Sequence, residues 1–113
     1  MARLSTHVLD TAHGMPAANI VIDLHSHGRH IVTMETTYDG RTPDPLLSGD
    51  TIEPGIYELT FHAGDYFRAR GVPLSDPPFL DLIVIRFAVA DPHGTYHVPL
   101  LVSPYGYTTY RGS

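Results

Sequence analysis

The sequence predicts an all-β chain: an antiparallel β-sandwich of seven or eight strands with one short helix. Three observations point there. Short segments alternate apolar and polar side chains and are rich in β-branched residues, the period of a half-buried strand. Glycine and proline number 10 each among 113 residues, which leaves little room for long helices. The breaks between segments recur at about the spacing of the connections in a sandwich.

Residues 4–9 read as the first extended segment. The next, 19–26, sets Ile20, Ile22 and Leu24 against Val21, Asp23 and His25. Residues 29–38 carry Ile31, Thr33 and Glu35 opposite Val32, Met34 and Thr36. Residues 55–61 carry Ile56, Glu58 and Thr60 opposite Tyr57, Leu59 and Phe61. The strongest pattern is 80–90, with Ile83, Ile85, Phe87 and Val89 on one face. Residues 95–103 and 105–111 complete the set. Between them, His13-Gly14-Met15-Pro16 reads as a turn and Asp39-Gly40 as a hairpin-type dipeptide. Asp91-Pro92-His93-Gly94 has proline second and glycine fourth, as a type I turn prefers. Pro104-Tyr105-Gly106 separates the last two strands. Residues 42–54 form a polar loop with room for a short edge strand. Only 64–70 suits a helix, about two turns closed by Gly71.

The length fits one domain spanning residues 1–113. Hydrophobic residues make up 42% and charged residues 17%, a globular balance. A formal charge of −5 argues against non-specific nucleic-acid binding, which needs a basic surface. Cysteine is absent, which excludes disulfides, thiol nucleophiles and Cys-ligated zinc. The longest apolar stretch, 79–90, is interrupted by Asp81 and Arg86, so no membrane span is expected. The opening residues lack the apolar region of a secretory signal, and a cytoplasmic home is the expectation. Histidine occurs 8 times; protonating every one would move the formal charge from −5 to +3, so the chain's charge responds strongly to pH below 7.

A sandwich of this size has no interior space for a substrate, so loops or an outer sheet face must do the work. Several strands carry apolar groups on both faces: Ile20 and Val21, Ile31 and Val32, Leu82 and Ile83. A sheet of that kind wants cover on each side, which points to an oligomer. No phosphate-binding glycine loop, no Gly-x-Ser-x-Gly elbow and no His-Glu-x-x-His is present.

What remains is a scatter of histidines, a few arginines and a Tyr-rich tail. His7 and His97 fall on expected strands, where a scaffold can hold a ring still. Neutral imidazole suits water activation, and a structural or merely exposed histidine is the alternative at each. Arg41 follows the Asp39-Gly40 turn. Its guanidinium could grip planar oxygens or steady an oxyanion, or be a solvated loop arginine. The tyrosines of 105–110 read first as interface packing. His25 and His27 are two apart, as strand-face neighbours are, with His30 nearby. A metal could use such a pair, though no acidic third ligand follows at suggestive spacing. His13, His62 and His93 read as surface groups, and the arginines of 64–70 as solvated.

Three stretches resemble a known family. Thr6-His7-Val8-Leu9-Asp10-Thr11-Ala12-His13-Gly14-Met15-Pro16-Ala17 resembles the N-terminal signature of the transthyretin-like superfamily. Tyr96-His97-Val98-Pro99-Leu100-Leu101-Val102-Ser103-Pro104-Tyr105-Gly106-Tyr107 resembles its C-terminal signature. Tyr110-Arg111-Gly112-Ser113 resembles the tetrapeptide of its enzymatic branch, the 5-hydroxyisourate hydrolases. The resemblance implies a transthyretin-like (Ig-like) sandwich of two four-stranded sheets with one short helix. It implies a homotetramer, a dimer of dimers, with active sites in clefts between the dimers. It implies a cyclic amide hydrolase that opens the small molecule 5-hydroxyisourate, the product of urate oxidation, without metal or cofactor.

On that resemblance His7, Arg41 and His97 are catalytic, and His7, Arg41, Tyr110 and Ser113 bind substrate. One histidine would deprotonate water, and the other would orient it or pass on the proton. Tyr38, before Asp39-Gly40-Arg41, departs from the smaller polar residue the family leads one to expect. The competing reading is a carrier of the transthyretin type, which holds a small aromatic ligand without catalysis. It predicts loss of the His7, Arg41 and tail set.

Overall fold

Nine strands and one helix form in the computed structural model, which describes residues 1–113. The strands are β1 (Ala2–Asp10), β2 (Met15–Pro16), β3 (Val21–Ser26), β4 (Arg29–Glu35) and β5 (Leu47–Gly49), then β6 (Gly55–His62), β7 (Leu82–Val89), β8 (Thr95–Ser103) and β9 (Gly106–Thr109). The helix α1 (Ala63–Ala69) follows β6 directly. One sheet runs β2-β1-β8-β9, with β5 also paired to β1, and the other runs β4-β3-β6-β7. The predicted sandwich is therefore present. The two short strands β2 and β5 share one edge of β1, so that sheet has five strands where the resemblance implied four.

Alternation decides which side chains meet inside. Leu4, Thr6, Val8 and Asp10 of β1 point inward, as do Tyr96, Val98, Leu100 and Val102 of β8. They face Ile22, Leu24, Tyr57, Leu59, Phe61, Ile83, Ile85 and Val89 from the second sheet. The odd-numbered positions Ser5, His7 and His97 are thereby turned to the outer face. On the second sheet the outward apolar residues Ile31, Ile56, Leu82 and Val84 are exposed, as two-sided strands predicted. Asp23, Glu58 and Arg86 interrupt them. No helix is long and apolar enough to cross a membrane.

Several expectations change in detail. β1 and β8 run parallel, with Ser5 beside His97; a run of 92 residues separates that pair, and nothing local encodes its direction. The strand expected over 29–38 ends at Glu35, because the buried Thr36 turns inward and its hydroxyl donates to the Ala17 carbonyl at 2.7 Å. The tail strand is shorter than 105–111, and Gly112 alone re-pairs, with His97. Closure of α1 follows expectation. Gly71 has φ +78°, and Gly71 and Val72 donate back to Arg68 and Phe67 at 3.0 and 3.1 Å, a Schellman ending.

His13 is more than a surface group. Asp10 is only 1% exposed. It accepts hydrogen bonds from the main chain of Ala12 (2.9 Å) and His13 (3.0 Å), from His13 Nδ1 (2.5 Å) and from the Tyr66 hydroxyl (2.7 Å). The carboxylate thus ties β1, its turn and α1 together. Burial alone would raise the Asp10 pKa, but the hydrogen bonds from Tyr66 and His13 outweigh it and leave it lowered. A carboxyl depressed in the folded state stabilises the fold above its ordinary value of 3.8, and the benefit is lost as pH falls through the lower folded value. Asp10→Asn turns an NH2 either on the two main-chain donors at Oδ1 or on the tyrosine and histidine at Oδ2. A loss of about 2–4 kcal/mol is expected, read as a lower urea midpoint at unchanged m.

Candidate active site

The outer face of β1 and β8 carries His7 and His97, two of the candidate residues from the sequence. Ser5 and His97 are register partners on adjacent parallel strands, and Ser5 Oγ lies 2.9 Å from His97 Nδ1. His97 is half-buried. Its pKa is lowered from the ordinary 6.5, first by burial, then by the charges of Arg41, His7 and Arg3; a hydrogen bond to the Ser5 main chain opposes this in part. The ring is therefore neutral at pH 7, the state a general base needs.

His7 lies two residues beyond Ser5 on the same face. Its Nε2 is 2.8 Å from the Asp39 carbonyl. A carbonyl only accepts, so Nε2 carries a proton, and in the neutral ring the lone pair is on Nδ1. The turn that supplies this carbonyl is built by Asp39 and Gly40. The Asp39 carboxylate accepts from the Thr37 hydroxyl at 2.8 Å and the Arg41 main chain at 3.0 Å. Those two bonds, Thr37 first, lower its pKa. Gly40 has φ +79°, and a Cβ there would strike the Val8 carbonyl and approach His7 Cδ2 to 3.3 Å. Glycine is required on both counts. Tyr38 is 87% exposed, so its size is absorbed by solvent and the turn forms despite the departure.

The same turn sets Arg41 opposite His7 in an antiparallel bridge on the edge of β1 that β2 and β5 share, in the gap between them. The Arg41 main chain is fixed, with its carbonyl accepting from Thr37 N at 2.8 Å, while its side chain is exposed. On the far side of β8, Gly112 N donates to the His97 carbonyl at 2.8 Å. Arg41, His7 with Ser5, His97 and Gly112 thus form a row across four neighbouring segments, roughly 14 Å wide at ~4.8 Å per strand spacing. A hollow of about 190 Å³ lies beside the row, with Arg3, Ser5, Arg41 and Thr42 in its walls. A larger hollow of about 540 Å³ at the β3–β4 turn, near His27, Arg29 and His30, holds none of the row.

Gly112 packs against the His97 ring, a contact that composition did not reveal. A Cβ on it would sit 2.6 Å from His97 Cδ2, closer than atoms can approach, so the ring would have to move. Misplacement of about 1 Å costs up to ~10²-fold in rate. Gly112→Ala is expected to lower kcat by about that factor with thermal stability nearly unchanged, which paired kinetics and calorimetry would check.

His7, Arg41 and His97 are therefore brought together. Tyr110 and Ser113 flank Gly112 on the exposed tail. Tyr110 also lines an apolar hollow with Phe87, Tyr96, Val98 and Arg111, and the Arg111 guanidinium stacks 4.3 Å over the Tyr96 ring. The expectation that His25 and His27 share a strand face is overturned. His27 sits in the β3–β4 turn at φ +53°, next to Gly28 at +73°, and two left-handed residues make it a tight hairpin turn and not strand. His25 instead packs edge-on against His30 at 5.3 Å. His62 is also no plain surface group, since its Nε2 lies 2.7 Å from Asp23.

Comparison with known proteins adds the following. The family model described as "HIUase/Transthyretin family" matches residues 4–112. "5-hydroxyisourate hydrolase 2" of Rhizobium meliloti (strain 1021) is 56% identical over 115 residues, 98% of this chain and 96% of that one. Among solved structures, (S)-allantoin synthase superposes with a TM-score of 0.93 at 43% identity; the match covers 99% of this chain but spans only 44% of that protein. Klebsiella pneumoniae 5-hydroxyisourate hydrolase superposes with a TM-score of 0.85 at 30% identity, covering 100% of this chain and 94% of that one.

Proposed function

The chain belongs to the HIUase/transthyretin family, and from that premise we propose that it is a hydrolase that cleaves the acyl C–N bond of 5-hydroxyisourate. The product is 2-oxo-4-hydroxy-4-carboxy-5-ureidoimidazoline, which places the reaction in urate degradation. The observation that carries this over a carrier without catalysis is the placement of His97, held between Ser5 and Gly112 beside His7 and Arg41. A carrier has no use for a water-activating ring.

His97 takes a proton from water as the oxygen attacks the ring carbonyl carbon. The resulting oxyanion lies against the Arg41 guanidinium, a charge that is in place before the reaction. The C–N bond then breaks, and the proton on His97 passes to the leaving nitrogen. No electron acceptor is involved. His7, locked by Asp39 with Nδ1 as an acceptor, orients the water. Tyr110 and Ser113 position the purine-derived ring.

The hollow beside the row, about 190 Å³, is smaller than the roughly 300 Å³ where ligand sites begin. A second copy would complete it. We place the active site between dimers of a homotetramer in the cytoplasm, each subunit one domain over 1–113. Freshly generated 5-hydroxyisourate should lose its ultraviolet absorbance far faster with the protein than alone. Decay at the spontaneous rate would leave the carrier reading. Light scattering should give four copies, and a monomer with full activity would remove the shared cleft.

A further inference from the structure

Ser5 was not among the residues singled out in the sequence, and the proposed chemistry gives it no role so far. It occupies the outward face of β1, two residues before His7, and is the register partner of His97. Its hydroxyl lies 2.9 Å from His97 Nδ1. The ring's charged neighbours, Arg41, His7 and Arg3, all disfavour a proton on it. The ring's hydrogen-bond partner is the Ser5 hydroxyl, which is able either to donate to a bare Nδ1 or to accept from an Nδ1–H.

We infer that Ser5 is a positioning residue: it holds a proton on Nδ1 of His97, fixing the tautomer in which Nε2 is the free lone pair. This rests on the proposed hydrolase reading and divides the labour within it. Nε2 is the outer nitrogen of the ring, and Nδ1 is the one turned to β1. A ring whose Nδ1–H is held by Ser5 offers water a base at its far end. His7 has the reverse tautomer, with Nε2–H given to Asp39, so its outer nitrogen is occupied. Geometry therefore gives His97 the base's part and His7 the orienting part. A His97 free to flip or to exchange tautomers would spend part of its time with a proton where the lone pair is needed.

The test begins with the wild-type ring. Long-range proton–nitrogen correlation spectra of the neutral form should show His97 protonated at Nδ1. A proton on Nε2 would overturn the inference, whatever the enzyme does. Ser5→Ala should lower kcat about tenfold with KM within twofold, and Ser5→Thr should restore it. The acid limb of the pH profile gives the sign. If Ser5 accepts from Nδ1–H, losing its oxygen destabilises the imidazolium, and the limb moves to lower pH. If Ser5 instead donates to a bare Nδ1, its loss destabilises neutral imidazole, and the limb moves up. Unchanged kcat, or a change in KM alone, would also reject the positioning role. The underlying function is checked separately with His97→Asn. Full turnover in that variant would defeat the hydrolase mechanism, while the spectra would still decide the tautomer.

Discussion

In His97→Asn, turnover of 5-hydroxyisourate falls by about 10²–10⁴-fold, the usual worth of a positioned general base, while the fold is kept. Asparagine is close to imidazole in size up to Nδ1, and its amide can still meet Ser5 Oγ. The Gly112 contact to the His97 main chain does not involve the side chain. Circular dichroism and light scattering should therefore match wild type, and the loss should lie in kcat. Retention of wild-type turnover would take His97 out of the chemistry.

The wild-type pH profile carries the same claim. A base works in its neutral form, so activity falls as pH drops through the His97 pKa. Burial and the charges of Arg41, His7 and Arg3 lower that pKa from 6.5. The acid limb is expected below the ordinary imidazole range, and a limb above 6.5 would mean another group titrates.

Much of this site is legible in the sequence, because strand parity is local. Once residues 2–10 are a strand with Leu4, Thr6 and Val8 inside, Ser5 and His7 must be outside, and the same count puts His97 outside β8. Legibility ends where partners are far apart in the chain. The parallel pairing of β1 with β8 brings Ser5 to His97 across 92 residues, and no period encodes it. Tyr66 reaches Asp10 across 56, so in the sequence the buried carboxylate is only one residue within a signature and His13 a turn residue. His27 misled for the opposite reason. Its spacing from His25 fits a strand, but Gly28 after it allows the left-handed pair that ends the strand. A glycine next to a polar residue at a strand end was the available signal.

Arg41→Ala tests the other half of the site and predicts two effects from one substitution. Removing a preorganised charge from a developing oxyanion costs about 3 kcal/mol, or ~10²-fold in kcat. The same guanidinium is, after burial, the largest influence lowering the His97 pKa. Its loss should let that pKa rise, so the acid limb moves to higher pH as kcat falls. Arg41→Lys separates the two. A lysine charge at this exposed position keeps most of the repulsion that lowers His97, so the limb should stay near wild type. Its single ammonium cannot present the planar fork that meets two oxygens at once, so kcat should recover only in part. The alanine loss should not be structural, because the turn is held by the main chain of residue 41, which accepts from Thr37 N and donates to the Asp39 carboxylate, and alanine keeps both bonds. Arg41→Ala with full kcat would mean that the oxyanion is stabilised elsewhere. A fallen kcat with an unmoved limb would mean that Arg41 meets substrate but does not set the charge on His97.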